Sequence, residues 1–492
     1  MTTPAAPRRE GALELTLDPT DWTAVRSLAH RMLDDMLTHL ETIGRQPAWR
    51  ATPDEVAAII AEPLPVEPQG LQRSYEDFRR LIQPYTLLNV HPRFWGWVMG
   101  AGSVEGMLAE LLSAGLNLNA GGPNTSGTLA ELQALEWCKA MMGFPAGAGA
   151  MLVTGGSTAN LVALMAARDA VLGEAAEAGL QVSGERLVFY GSDETHNSVP
   201  KALRMLGVGR SGWRAVPTDR EYRIDRGALE RMIAEDRVAG LTPACVIGNA
   251  GTVNTGATDD LPALLALCRR EKLWFHVDGA FGAIATLSPS LRPIVRGMEE
   301  ADSLAFDLHK WLHIPYDAGC VLVRDREAHR RPFTQPGSYL MKMDRGPGAM
   351  PILFGDYGPE LSRAFRGLKV WLCFKAHGTV IYGRLVEQNV AQARYLAERV
   401  AVEPELELLA PVPLNIVCFR HRGRPGASDE VLNERNRQLL MQLQCDGIAV
   451  PSHTVLHGRF AIRVSITNHR SRREDFDVLV ESVLRIGREL ES

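Results

Sequence analysis

Apolar positions along this chain change their period twice. From Asp21 to Gly44 they recur at helical spacing (Val25, Leu28, Met32, Leu33, Met36, Leu40), with Asp21 placed to cap the helix and Gly44 to close it. Two shorter amphipathic stretches, Glu55–Ile60 and Tyr75–Ile82, are separated by PLPVEP. Residues 1 to about 19 are rich in Pro, Ala, Arg and Glu and read as a frayed end. A proline-jointed helical start of this kind buries little by itself, so residues 1–100 read as an arm that packs on something else, such as a second subunit. Helices are expected near Val104–Leu116 and Thr128–Met142. From there short apolar runs alternate with helical stretches. The expected strands are Ala150–Val153, Arg186–Tyr190, Ala244–Gly248, Leu273–Asp278, Leu304–Phe306 and Cys320–Val323, and the expected helices Ala159–Leu172, Val199–Leu206, Arg226–Glu235 and Leu261–Arg270. This alternation predicts an α/β domain over 101–375 with a mostly parallel sheet and crossover helices.

The loop-rich stretch from Gln335 to Glu360 is too long for a plain connector. A long helical stretch follows from about Leu361, with Val380–Val400 as its later part. The tail alternates again: strand Asn415–Arg420, helix Glu430–Cys445, strand Phe460–Thr467 and helix Arg472–Glu489. Residues 376–492 therefore read as a small α+β domain.

Composition narrows the functional classes. At 492 residues the chain is long enough for two or three domains, and 46% apolar with 23% charged residues is ordinary for a globular protein. A net charge of −5 gives no basic footprint, which argues against nucleic acid as a partner. The seven cysteines are scattered, with no CxxC pair, which argues against a zinc site or a disulfide framework and for reduced thiols in a cytoplasm. No stretch approaches the length of a membrane span and the N-terminus has no signal-like apolar run, so a soluble cytoplasmic protein is expected.

The candidate chemistry lies at the ends of the expected strands, where ligands of such sheets bind. In Ser303–His313 (SLAFDLHKWLH) an apolar run ends in a turn that sets His309 and Lys310 between Leu308 and Trp311. A lysine among apolar neighbours is costly unless paired or neutralised, and a Schiff base with a carbonyl cofactor is one way to neutralise it. Such a lysine needs a phosphate cradle, an acidic partner and a group to stack on the ring. Thr154-Gly155-Gly156-Ser157-Thr158-Ala159-Asn160 follows one strand and opens a helix, so it reads either as a phosphate cradle or as an ordinary helix cap. Asp278 ends the strand WFHVD; it is a cap or a functional carboxylate, and beside it Gly279 and Ala280 leave room for a ring. His196, after the strand LVFY, is a structural histidine or a stacking and acid–base group. Asn249–Gly256, with Thr252, is a turn or a source of small polar groups at the same rim. Each feature alone has a bland explanation; the ordered set at successive strand ends does not.

At these residues the chain resembles the group II pyridoxal-phosphate decarboxylases, the fold-type I family that includes aromatic-L-amino-acid, glutamate, histidine and cysteine-sulfinate decarboxylases. The resemblance runs from about Leu28 to the end, through HPRFWG, TGGSTANL, the His196 segment, HVDGA, DLHKWL, PGSYL and FRGLK. It implies a PLP-dependent transferase fold with a seven-stranded sheet, pyridoxal 5'-phosphate as cofactor, and an obligate homodimer with active sites at the subunit interface. Carried over residue by residue, Lys310 would form the Schiff base, while His309, Asp307 and the Gly155–Gly156–Ser157 turn, with Thr252 nearby, would surround the phosphate. Asp278 would pair with the pyridinium nitrogen and Ala280 would lie against the ring. His196 would stack on the ring, and Tyr339, on a mobile loop, would protonate the α-carbon after carbon dioxide leaves. Three positions depart from the aromatic-amino-acid enzymes: Asp307 stands where they carry asparagine, Val253 replaces a threonine, and Gly100 falls where a threonine reaches a catechol hydroxyl.

The aromatic cluster His91–Trp97 reads alone as core or interface. Within the resemblance, Trp95, Trp97, Val98 and Met99 suggest an apolar, roomy substrate wall, with Arg93 the one candidate to meet a side-chain carboxylate. The expectation is decarboxylation of an aromatic or bulky apolar L-amino acid to the amine. The alternatives are oxidative decarboxylation to an aldehyde and decarboxylation of an acidic amino acid.

Overall fold

The computed structural model describes residues 15–491 except 335–336, 338–342 and 424–425. The chain forms two compact units, residues up to 45 with 52–86, and residues 46–51 with 87–492. The first unit is helical. Helix α1 (Trp22–Thr42) starts where expected, because the Asp21 carboxylate accepts from the N–H groups of Thr23 and Ala24. Helices α2 (Asp54–Ile60) and α3 (Leu71–Asp77) follow, and the Tyr75 hydroxyl donates to Asp35 at 2.7 Å, tying α3 to α1. Among the described residues of this unit only Leu28, Ile43, Tyr75 and Leu81 are buried, which is too few for an independent core.

The second unit opens with the short strand β1 (Phe94–Trp95) and helices α4 (Val104–Leu116) and α5 (Ser126–Met142). Strand β2 (Gly149–Val153), helix α6 (Gly156–Leu172), strand β3 (Leu187–Ser192), helix α7 (Ser198–Met205) and strand β4 (Trp213–Val216) come next. Helix α8 (Arg226–Val238), strand β5 (Thr242–Asn249), helix α9 (Leu261–Glu271) and strands β6 (Trp274–Asp278), β7 (Ser303–Asp307) and β8 (Gly319–Val323) complete the large sheet region. The sheet has seven strands in the order β2-β8-β7-β6-β5-β3-β4, parallel except for β8, which runs antiparallel to both neighbours. Nearly every residue in its central strands is buried, as expected for a sheet covered on both faces. Register sets Asn249 beside Asp278 and Asp278 beside Ala305, so the strand ends that carry chemistry lie level with one another.

Helix α10 (Arg366–Val402) is broken at Gly378, whose φ of 65° no other residue type adopts as readily. It leads into β9 (Leu406–Leu408), β10 (Ile416–His421), helix α11 (Asp429–Cys445), β11 (Val450–Leu456), β12 (Arg459–Ser465) and helix α12 (Arg473–Glu489). These strands form a second sheet in the order β1-β11-β12-β10-β9. Residues 87–100, counted with the arm in the sequence reading, thus belong with the second unit, and Phe94–Trp95 pairs with Val450–Pro451 as its edge strand. Strands β1, β4, β9 and β11 are additions to those expected from sequence. No helix among the described residues is long and apolar enough to cross a membrane.

Candidate active site

Strand β7 ends on Asp307, and the turn after it carries His309 and Lys310. Leu308 and Trp311 are fully buried on either side. Lys310 Nζ lies 2.8 Å from Asp307 Oδ2, so its charge is matched inside the turn itself. Asp307 is buried, and its second oxygen, Oδ1, has no hydrogen-bond partner. His309 Nδ1 accepts from the Ala318 N–H at 3.1 Å, which leaves the imidazole proton on Nε2, 3.7 Å from Asp307 Oδ2. Burial pushes the His309 pKa below the ordinary histidine value, with the Asp307 charge opposing. Gly100 packs on this turn: a Cβ there would come within 2.2 Å of the His309 carbonyl oxygen and 2.3 Å of that of Lys310. Only glycine fits, so the departure noted at this position is a packing requirement of the lysine turn.

The Gly155–Gly156 turn between β2 and α6 faces the same place. A Cβ on Gly155 would lie 3.1 Å from His309 Cε1, and one on Gly156 would lie 3.0 Å from Asp307 Oδ2. Ser157 is exposed in the first turn of α6, a helix of 17 residues whose N-terminal N–H groups lack intrahelical acceptors. Two glycines that keep side chains out, a helix start and an imidazole N–H make a cradle that fits a phosphate. The orphaned Asp307 oxygen on its floor is the one group that opposes an anion.

Asp278, at the end of β6, is held by two neutral donors: Oδ1 accepts from the Ala280 N–H at 3.1 Å and Oδ2 from Asn160 Nδ2 at 2.9 Å. His196 stands exposed beyond the end of β3, its Nδ1 2.8 Å from Ser198 Oγ. Lys310, Asp278, Ala280 and His196 line one cavity of about 330 Å³. Three larger grooves, of about 880, 1000 and 540 Å³, lie elsewhere on the surface and contain none of these residues.

The apolar wall of this cavity is Trp97, Val98, Val253 and Phe281. Two residues expected in the wall are absent from it. Trp95 is buried in the core of the second sheet, stacked on Phe476 at 4.9 Å with its indole N–H on Ser471 Oγ, because β1 turns it inward with that sheet. Met99 packs against Ala48, Phe94 and Val450. Thr252 is also turned away: its hydroxyl is engaged with Thr255 at 3.1 Å and with the Ala257 N–H at 3.1 Å. Arg93 donates to the Ile448 carbonyl and lies 3.6 Å from Asp475, outside the cavity. Tyr339 lies outside the described residues.

Sequence reasoning missed Ser452, His453 and Arg463, which line the cavity from the second sheet. Arg463 is the most constrained of them. It donates to the carbonyls of Trp97 (2.8 Å), Asn254 (3.1 Å) and Val253 and to Ser452 Oγ (3.1 Å), so it staples three walls together. Burial lowers its pKa to about 10. The signal in the sequence was a lone cation inside the apolar run FAIRVSI.

Comparison with known proteins gives the family. The family described as "Pyridoxal-dependent decarboxylase conserved domain" matches residues 53–422. An aromatic-L-amino-acid decarboxylase of Bacillus atrophaeus is 33% identical over 469 residues, covering 95% of this chain and 96% of that protein. A phenylacetaldehyde synthase of Petunia hybrida is 28% identical, with 92% and 91% covered. The crystal structure of an Oryza sativa protein described as TDC with PLP and tryptamine superposes with a TM-score of 0.89 at 26% identity, covering 97% of this chain and all of that one. A match over most of the chain, together with a lysine, carboxylate, histidine and phosphate cradle at successive strand ends, leads to one conclusion: the chain belongs to the pyridoxal-dependent decarboxylase family, enzymes of the carboxy-lyase class, and its cofactor is pyridoxal 5'-phosphate.

Proposed function

We propose that the protein removes the α-carboxylate of an aromatic or bulky apolar L-amino acid, yielding the amine and carbon dioxide. The observation that carries this reading is the 330 Å³ cavity, where Lys310, Asp278 and His196 meet an apolar wall of Trp97, Val98, Val253 and Phe281. Bound pyridoxal phosphate supplies an electron sink for the pair left behind when the carboxylate departs. Lys310 would hold the cofactor through its carbonyl carbon. Gly155, Gly156, Ser157 and His309 Nε2–H would hold the phosphate. Asp278, fixed by Asn160 and the Ala280 N–H, would keep the ring nitrogen protonated, and Ala280 would leave the ring room. His196 would cover the ring, and Tyr339 would deliver the proton to the α-carbon.

The wall argues against an acidic substrate. The cavity's cations are Lys310, paired with Asp307, and Arg463, whose donors go to backbone carbonyls and a serine. Among the described lining residues, Lys310 is paired and each nitrogen of Arg463 already donates within the protein, so neither is set out to meet a side-chain carboxylate. An aldehyde-forming reaction is the second reading, because relatives such as the Petunia hybrida phenylacetaldehyde synthase carry that name. In that branch the loop tyrosine or the stacking histidine is typically replaced, and this chain keeps both Tyr339 and His196. The working form in this reading is a cytoplasmic homodimer: Leu111, Leu112 and Leu116 stand exposed on α4, and none of the seven cysteines is in a disulfide.

The test incubates protein and cofactor with a panel of L-amino acids while amine, aldehyde, peroxide and carbon dioxide are followed. Amine and carbon dioxide in equal amounts, strongest with Phe, Tyr or Trp, are expected. Aldehyde with stoichiometric peroxide, or a preference for glutamate, would overturn the reading.

A further inference from the structure

Beneath the cavity lies a chain of buried polar side chains that does not itself line it. Asn160, on α6, is 1% exposed, and both its amide nitrogen and its carbonyl oxygen are hydrogen-bonded. Its carbonyl lies 2.9 Å from His276 Nε2, and its amide donates to Asp278 Oδ2 at 2.9 Å and to Ser198 Oγ at 3.0 Å. His276 Nδ1 lies 2.9 Å from Ser303 Oγ, to which Trp274 Nε1 also donates, at 2.8 Å. At the other end Ser198 Oγ lies 2.8 Å from His196 Nδ1, and the Ser198 backbone N–H donates to the same nitrogen at 3.2 Å.

The direction of the bonds is fixed by groups that can only accept or only donate. The Asp278 carboxylate can only accept, so Asn160 turns its amide toward Asp278 and its carbonyl toward His276, whose Nε2 therefore donates. The neutral ring then accepts at Nδ1 from Ser303 Oγ, which in turn accepts from the Trp274 indole N–H. Burial pushes the His276 pKa down to about 4, so the ring stays neutral and the chain keeps one polarity. A backbone N–H likewise only donates, so His196 Nδ1 is an acceptor and its proton sits on Nε2.

We propose that Asn160 is a positioning residue that couples the two groups facing the cavity, holding Asp278 in one rotamer and turning the Ser198 hydroxyl toward His196 Nδ1 through a single amide. The inference rests on the pyridoxal-phosphate reading for what Asp278 and His196 act on. The hydrogen-bond chain itself belongs to the protein without cofactor. Removing the amide frees the carboxylate from one of its two donors and leaves Ser198 Oγ free to reorient.

The test compares wild type with Asn160→Ala by three measurements: the visible absorption of the cofactor-loaded protein, the dissociation constant of pyridoxal phosphate, and ¹⁵N signals of labelled histidine in the cofactor-free protein, with His196→Gln to assign them. In folded Asn160→Ala the ratio of visible bands is expected to change, cofactor binding to weaken about tenfold, and kcat to fall about 10–100-fold with KM held within about threefold. The His196 Nδ1 signal is expected to shift as the Ser198 hydroxyl reorients, while the Nε2–H tautomer set by the Ser198 backbone N–H is retained. Asn160→Thr, close to asparagine in volume with one donor, is expected to fall between the two and serves if the alanine variant does not fold. A folded variant with the wild-type band ratio and wild-type His196 signals would overturn the proposal. A wild type that shows no visible band with the cofactor would instead sink the cofactor reading, while the histidine signals would still test the chain of bonds.

Discussion

Two buried carboxylates end neighbouring strands of the large sheet, and they are treated in opposite ways. Asp278 on β6 takes neutral N–H donors on both oxygens, from Asn160 and Ala280. Asp307 on β7 takes an ammonium on one oxygen and nothing on the other. The first arrangement is self-contained, since amide donors do not change charge. The second depends on Lys310, and any chemistry that removes the charge of that lysine leaves Asp307 buried without its counter-ion. The end of β6 is therefore built to stay fixed, and the end of β7 to respond to what happens at the lysine.

The comparison breaks most completely at Lys310. Lys310→Ala is expected to lower activity below detection and to abolish the borohydride-sensitive visible band of the loaded protein, with loss of thermal stability from the unpaired Asp307. Survival of that band in the variant would show that another residue holds the cofactor. Asp278→Asn comes next. It removes the charge while leaving a side chain that Asn160 can still meet, and kcat should fall by about 10²–10³, the scale seen when one preorganised electrostatic partner is removed. Wild-type kcat in this variant would mean that Asp278 is only a structural cap. Asp307→Asn should act in the opposite direction on binding. Its carboxylate faces the Gly155–Gly156 turn, where it repels a phosphate. Equilibrium titration should show pyridoxal phosphate held about tenfold more tightly, a gain of roughly 1.4 kcal/mol. Weaker binding would show instead that the Asp307–Lys310 pair is what prepares the lysine.

The strand ends were legible because each carries its signal locally. A glycine pair before a helix, a carboxylate after WFHV and a lysine after an apolar run can each be read within a few residues. What could not be read is assembled from afar. Asn160 sits inside the TGGSTAN motif, yet its partner Asp278 is 118 positions away and no spacing rule connects them. Strand β1 is two residues long and exists only because Val450–Pro451 lies beside it. Pro451, which cannot donate to a ladder, hid β11 and with it Ser452 and His453 on the cavity rim. Trp95 and Trp97 read alike from their aromatic neighbours. The β1 register turns Trp95 into the core and leaves Trp97, with φ of 51°, half exposed at the cavity.

The smallest expected effect again separates the two strand ends. Each carries one buried histidine, His276 within β6 and His309 after β7, and burial lowers both pKa values, His276 to about 4. His91, His329 and His469 are also pushed down to about 4 by burial. For these groups the folded value lies below the unfolded one near 6.5, so the unfolded chain binds protons that the folded chain refuses. Their stability contribution is full above about pH 6.5 and is lost as pH falls toward 4. Buried carboxyls pushed upward, such as Glu131 and Asp259, bind protons more readily when folded and oppose that loss. A difference measurement removes this background. His309→Gln should show a smaller drop in Tm between pH 7.5 and pH 5 than wild type, because it deletes one group that must charge on unfolding. Its drop should exceed that of a variant lacking His276, whose protonation is resisted to lower pH but whose ring also anchors Asn160. An unchanged drop in His309→Gln would mean that His309 binds protons equally in the folded and unfolded chain, and a larger drop would mean that the folded state holds it protonated, as a cation of the phosphate cradle.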